Sequence, residues 1–206
     1  NALQYLQVQE TQLQASLNQP KAQLQQNLLS IKQAINMDLD GKLTLVSAEK
    51  SFVKYDDSNI EDKINKAVYN NYNIGKINNN LDILRAEEDI YKKYAYDDDS
   101  GAISTSLNIQ DLENKLDDTK LTIKTNLWNG YYNLKNLEDA VETEQAKVAS
   151  AQSNYDTTAA KVQQGVLTQL QADSAALALK SEKINLKNVI NNYTVAVEQF
   201  EYNLTQ

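Results

Sequence analysis

Residues 160–177, AKVQQGVLTQLQADSAAL, place one glycine inside what otherwise reads as unbroken helix. The chain has five glycines and one proline in 206 residues, so it has few places to turn. Upstream, between Ile109 and Gln164, apolar or small residues recur at Leu112, Leu116, Thr119, Ile123, Leu127, Gly130, Leu134, Leu137, Val141, Val148, Tyr155, Ala159 and Val162. Their steps are mostly three and four, which predicts a heptad-like seam on one helix of about 85 Å at 1.5 Å per residue. Downstream, Thr168 to about Leu204 reads as a second helix of about 55 Å. Two such helices joined by QGVL predict an antiparallel hairpin. Gly165 supplies a left-handed turn residue without a Cβ penalty, and Thr168 caps the next helix.

Leu3, Leu6, Leu13, Leu17, Leu24, Leu28, Ile31 and Ile35 give residues 3–36 helical spacing, with a kink expected near Asn18 because Pro20 interrupts it. Gly41 reads as the stop of that helix, and the alternation around Leu43 and Leu45 as a short strand or extended segment. Ser58-Asn59-Ile60-Glu61 fits a capping box that opens a helix to about Tyr72. Gly75 then separates it from a helix over 77–95 with Ile77, Leu81, Leu84 and Tyr91 on one face. YDDDSGAISTSLN, residues 96–108, breaks the pattern and reads as a loop. Shifting the chain by 164 positions lays Leu3, Leu6 and Leu13 on Leu167, Leu170 and Leu177 and Asn1 on Gly165, a thin internal repeat. Three stretches follow: 1–40, the descending helix of a first hairpin; 41–108, a short segment with a strand, two short helices and a loop; and 109–206, the long hairpin with its tip at 165–168.

Composition closes off several functions. A net charge of −8 without any basic run argues against nucleic acid, whose phosphates require a cationic surface. No cysteine means no disulfide, zinc knuckle or thiol nucleophile. No histidine removes the usual general base near neutrality and the commonest transition-metal ligand. Asp97-Asp98-Asp99 lacks the alternating ligand spacing of a calcium loop, and Glu87, Glu88 and Asp89 lack a Glu-x-x-His partner. No metal, no cofactor and no enzymatic activity are expected. No stretch reaches the apolar length of a spanning helix, and the chain begins mid-pattern at NALQYLQVQE without a charged-then-apolar leader, as a processed or shortened chain would. Tyr131, Tyr132, Tyr155 and Tyr193 read as helix-packing residues with wet hydroxyls, and Trp128 as core beside a Gly130 small enough to admit another helix.

The stretch from Asn154 to Leu204, NYDTTAAKVQQGVLTQLQADSAALALKSEKINLKNVINNYTVAVEQFEYNL, resembles the second helical hairpin of the TolC-type outer-membrane efflux proteins. Residues 56–95 are similar to that family's shorter helices, and INMDLDGKLTLVS to the segment closing its first repeat. The resemblance covers most of the chain. It implies an all-α, elongated, antiparallel coiled-coil hairpin of the α-barrel type with shorter accessory helices, assembled as a homotrimer in the periplasm or at the outer membrane. The trimer would form an export duct that conducts substrate without chemistry. Its hairpin tips, here Gly165, Val166, Leu167 and Thr168, would dock to a periplasmic adaptor of an inner-membrane pump.

Two departures accompany the resemblance. Only residues 96–108 stand where the family inserts transmembrane β-strands, too few for two strands of about 9–11 residues, so membrane contact would need a β-barrel outside this chain. The acidic residues that narrow the family's duct correspond here to Gln171, Asp173 and Ser174, which puts an acidic gate in doubt. Read on its own, Gly165 is an αα-hairpin turn that needs no partner. The alternative function is a barrel-less coiled-coil structural or adhesive protein of the cell envelope.

Overall fold

The structure is a computed structural model that describes residues 8, 11, 12, 14–46, 50–94 and 100–206. Among them the fold is all-α and contains no strand. Its helices are α1 (Asn18–Ala34), α2 (Ile60–Asn70), α3 (Tyr72–Tyr94), α4 (Ser100–Gln163) and α5 (Gln169–Asn203). Chain contacts divide the protein into two units, Asn1–Glu49 and Lys50–Gln206.

In the first unit, Leu17 forms a turn between helical residues and α1 restarts at Asn18. Pro20 therefore sits in the first turn, where a backbone N–H has no intrahelical acceptor and its loss costs little. The stop at Gly41 is displaced. Asn36, with φ of 52°, ends the helix: its N–H donates to the Gln33 carbonyl at 3.1 Å and that of Met37 to Lys32 at 2.8 Å. This is the left-handed closure usually made by glycine, here made by asparagine, which tolerates positive φ. Gly41 belongs to the following turn, its N–H donating to the Asp38 carbonyl. Residues 42–46, expected as a short strand or extended segment, have no regular structure, since an isolated strand finds no ladder partner.

In the second unit, α2 and α3 pack on the first half of α4, and α5 packs on its second half. Ile74, Ile77 and Leu81 of α3 bury with Leu116 of α4, whereas Ile64 and Ala67 of α2 enclose Leu127. Leu134 and Val141 of α4 bury with Tyr193 and Phe200 of α5. Spacing of seven from Leu127 through Leu134 to Val141, and of seven or fourteen from Ala172 through Leu179 to Tyr193 and Phe200, keeps each buried stripe on one face. A Cβ on Gly130 would lie 3.2 Å from the Phe200 ring, the close approach expected of that glycine. Trp128 is half-buried against the α2 cluster.

Three local expectations change here. Ser58 and Glu61 do not form a capping box: Asn59 precedes α2 in a left-handed conformation with φ of 59° and no side-chain cap, and the Ser58 N–H donates to Asp56 Oδ1 instead. The break between α2 and α3 falls at Asn71, not Gly75, because Asn71 takes extended backbone and its side chain accepts the Asn73 N–H at 3.0 Å. Residues 100–108, expected as loop, are helical. α4 starts at Ser100 and runs 64 residues, about 95 Å along its path. Its first turns lie against α3, where a Cβ on Gly101 would meet the Tyr91 ring at 2.8 Å, so packing overrides the weak helix preference of Gly, Ser and Thr.

Candidate functional site

The turn between α4 and α5 closes as the sequence predicts. Gly165 has φ of 72°; its N–H donates to Val162 at 2.9 Å and that of Val166 to Lys161 at 2.9 Å, the paired bonds of a Schellman closure. Thr168 is the N-cap of α5, with extended backbone. Gln171 reaches back, its Oε1 accepting the Thr168 N–H at 2.9 Å and hydroxyl at 3.1 Å. Gly165, Val166 and Thr168 are exposed and Leu167 is half-buried. The expected tip residues thus form one compact, partly apolar surface whose backbone N–H groups are all bonded within the hairpin.

The three expected duct-narrowing residues are all exposed and engaged locally. Gln171 serves the cap, Asp173 accepts from Gln169 Nε2 at 2.8 Å, and the Ser174 hydroxyl donates to the Leu170 carbonyl at 2.8 Å. Asp97, Asp98 and Asp99 lie outside the described residues. Glu88 pairs with Lys92 at 2.9 Å, and among the described residues no group of three acidic side chains could hold a metal ion.

A second site was not foreseen. Residues 50–57 form an extended strap laid along α4 and α5. At its centre Glu138, only 2% exposed, accepts the Tyr55 backbone N–H at 3.0 Å and pairs with Lys135 Nζ at 2.5 Å. The Tyr193 hydroxyl lies 3.0 Å from Glu138 and 3.1 Å from the Val53 carbonyl oxygen, and its single proton serves one or the other. Phe52 stacks edge-on against Tyr193 and Tyr55 against Phe200, with ring centroids 5.1 and 5.6 Å apart. Ion pairs from Lys50 to Glu198 and from Lys54 to Glu142 flank the strap. At its end Asp57 accepts from the Tyr131 hydroxyl at 2.9 Å and from Lys135 at 3.2 Å.

At this node one cation, Lys135, serves two carboxylates, Glu138 and Asp57. Burial pushes the Glu138 carboxyl up, but Lys135, the Tyr55 N–H and the Tyr193 hydroxyl outweigh it and hold the group below its ordinary value. Lys135 is raised, first by its hydrogen bond to Glu138. Tyr193 is pushed up to about 12 by burial and by the neighbouring carboxylate. The hydroxyl of Tyr193 is therefore buried and bonded, not wet as its sequence context suggests; Tyr132 is the exposed member of the four tyrosines. Glu138 does carry a faint signal: it follows Leu134 by four residues and precedes Val141 by three, which puts an acid on the apolar face, with Lys135 one turn before it.

No family model, curated protein or solved structure matches the chain.

Proposed function

We propose that the protein is a component of a TolC-like export duct, acting as a homotrimer whose hairpin tips at Gly165, Val166, Leu167 and Thr168 dock to a periplasmic adaptor. Its location on this reading is periplasmic or outer-membrane associated, and it passes substrate along the assembly without catalysing a reaction. Among the described residues no helix is long and apolar enough to cross a membrane.

The observation that carries the proposal is a second apolar stripe on α5. Its inner stripe is consumed by α4, yet Leu170, Leu177, Ile184, Val195 and Tyr202 are 51–73% exposed on another face, mostly seven residues apart. A helix apolar on two sides and polar between them suits a wall in which each helix has two neighbours. A second copy, offering the same stripe or the exposed Ile83 and Ile90 of α3, supplies the missing neighbour.

Sedimentation equilibrium tests this directly: the expected mass is three times 23.2 kDa. Replacing Leu177 and Ile184 by asparagine should yield a helical monomer. A wild-type monomer would sink the duct and favour the envelope spacer or adhesin. Docking is tested separately by Val166→Asp, which alters an exposed side chain and leaves the Gly165 closure intact. Loss of export in the host with the trimer preserved is the expected result, and unchanged export would remove the tip from the proposal.

A further inference from the structure

Between the first turns of α3 and the first third of α4 lies a cavity of about 360 Å³ with Ile77 and Leu112 as its floor and Asn73, Lys76, Asn80 and Lys115 around it. We propose that this cleft binds a small organic monoanion with an apolar body, of the class of a medium-chain carboxylate. The inference stands apart from the duct reading.

The lining contains two cations and no carboxylate in a chain of net charge −8. Nearby acids of α4 are committed elsewhere: Glu113 to Arg85 at 2.8 Å and Asp117 to Lys120 at 3.4 Å. Asp111 and Asp118 are exposed and do not line the cleft. Among the described residues neither Lys76 nor Lys115 forms an ion pair, unlike Lys50, Lys54, Lys92, Lys120, Lys135 and Lys147. The first turn of α3 carries no acid; its Tyr72 and Asn73 N–H groups are taken by the Gln206 main-chain oxygen and Asn71 Oδ1, so the positive charge of the cleft comes from the two lysines. Ile77 is buried and Leu112 half-buried, so the bottom of the cleft is apolar while its rim donates charge-assisted and carboxamide hydrogen bonds. The volume lies at the small end of the range of about 300–1,000 Å³ typical of small-molecule sites. Bare phosphate would leave that floor wet, and a neutral alcohol would leave both lysines unneutralised.

Calorimetric titration of the full chain with octanoate, octan-1-ol and inorganic phosphate decides the matter. Saturable binding of one octanoate per chain, weakening as salt is added, is expected. Lys76→Gln with Lys115→Gln should weaken it about tenfold or more with unchanged circular dichroism, whereas Lys161→Gln with Lys180→Gln on the hairpin should leave it alone. Equal binding of octan-1-ol, equal binding of phosphate, indifference to the cleft lysines, or no saturable octanoate binding at millimolar concentration would each overturn the proposal.

Discussion

The two halves of α4 solve the same packing problem differently. Its first half meets α3 through Leu116 against Ile74, Ile77 and Leu81, and its charges stay at the rim, as with Arg85 and Glu113. Its second half meets α5 through Leu134 and Val141 but takes Glu138 into the seam, bonded to Lys135, Tyr193 and the strap backbone. Apolar seams gain from burial wherever they touch, so they tolerate sliding by a turn. A buried carboxylate is satisfied in one register alone, and any slip strands it. The lesson is that the first half of α4 is held by area and the second by area plus a register pin.

That contrast can be broken from either side. Leu134, fully buried, should lose about 3–4 kcal/mol on replacement by alanine, against about 2 kcal/mol for Leu116, which keeps some exposure; equal losses in urea titration would erase the distinction. Glu138→Gln should cost about 1–3 kcal/mol by weakening the charge-assisted bonds, with protease nicking near residues 50–57 accelerated as the strap loosens. Unaltered cleavage there would show that the aromatic contacts of Phe52 and Tyr55 hold the strap unaided.

The pH dependence sharpens the comparison further. Glu138 titrates below its ordinary value of about 4.5 when folded, so its contribution is complete above that pH and vanishes as pH falls through the lower folded value. The stability gap between wild type and Glu138→Gln should therefore hold from pH 7 to about 5 and close below about 4.5. Tyr193 runs the opposite way: raised to about 12, it contributes fully below about 10 and loses that contribution as pH climbs toward 12. Tyr193→Phe should cost about 1 kcal/mol at neutrality. Smallest of all, Arg85→Ala should change stability by about 0.5 kcal/mol or less, because both partners of that ion pair are about half exposed.

Much of the hairpin is legible in the chain. Every position from Leu112 to Val162 in the expected seam is buried or half-buried, and Gly165 and Thr168 close and reopen the helices as their chemistry requires. Local breaks were harder to place. Asn36, Asn59 and Asn71 do the work expected of Gly41, Ser58 and Gly75, since asparagine tolerates left-handed backbone and accepts hydrogen bonds from it, and neither property announces itself in a chain rich in asparagine. The Glu138 node was not legible, because its partners lie 83 and 55 residues away at Tyr55 and Tyr193.

By itself the sequence determined an all-α chain, the apolar stripes of its long helices, and the turn at Gly165, because periodicity and a left-handed glycine act over a few residues. Only the tertiary structure decided that α4 reaches back to Ser100, that an extended strap lies along the hairpin, and that Glu138 is buried yet ionised. Those features depend on groups distant in the chain meeting at hydrogen-bond range. No local propensity encodes which of several chemically adequate partners a buried charge will find.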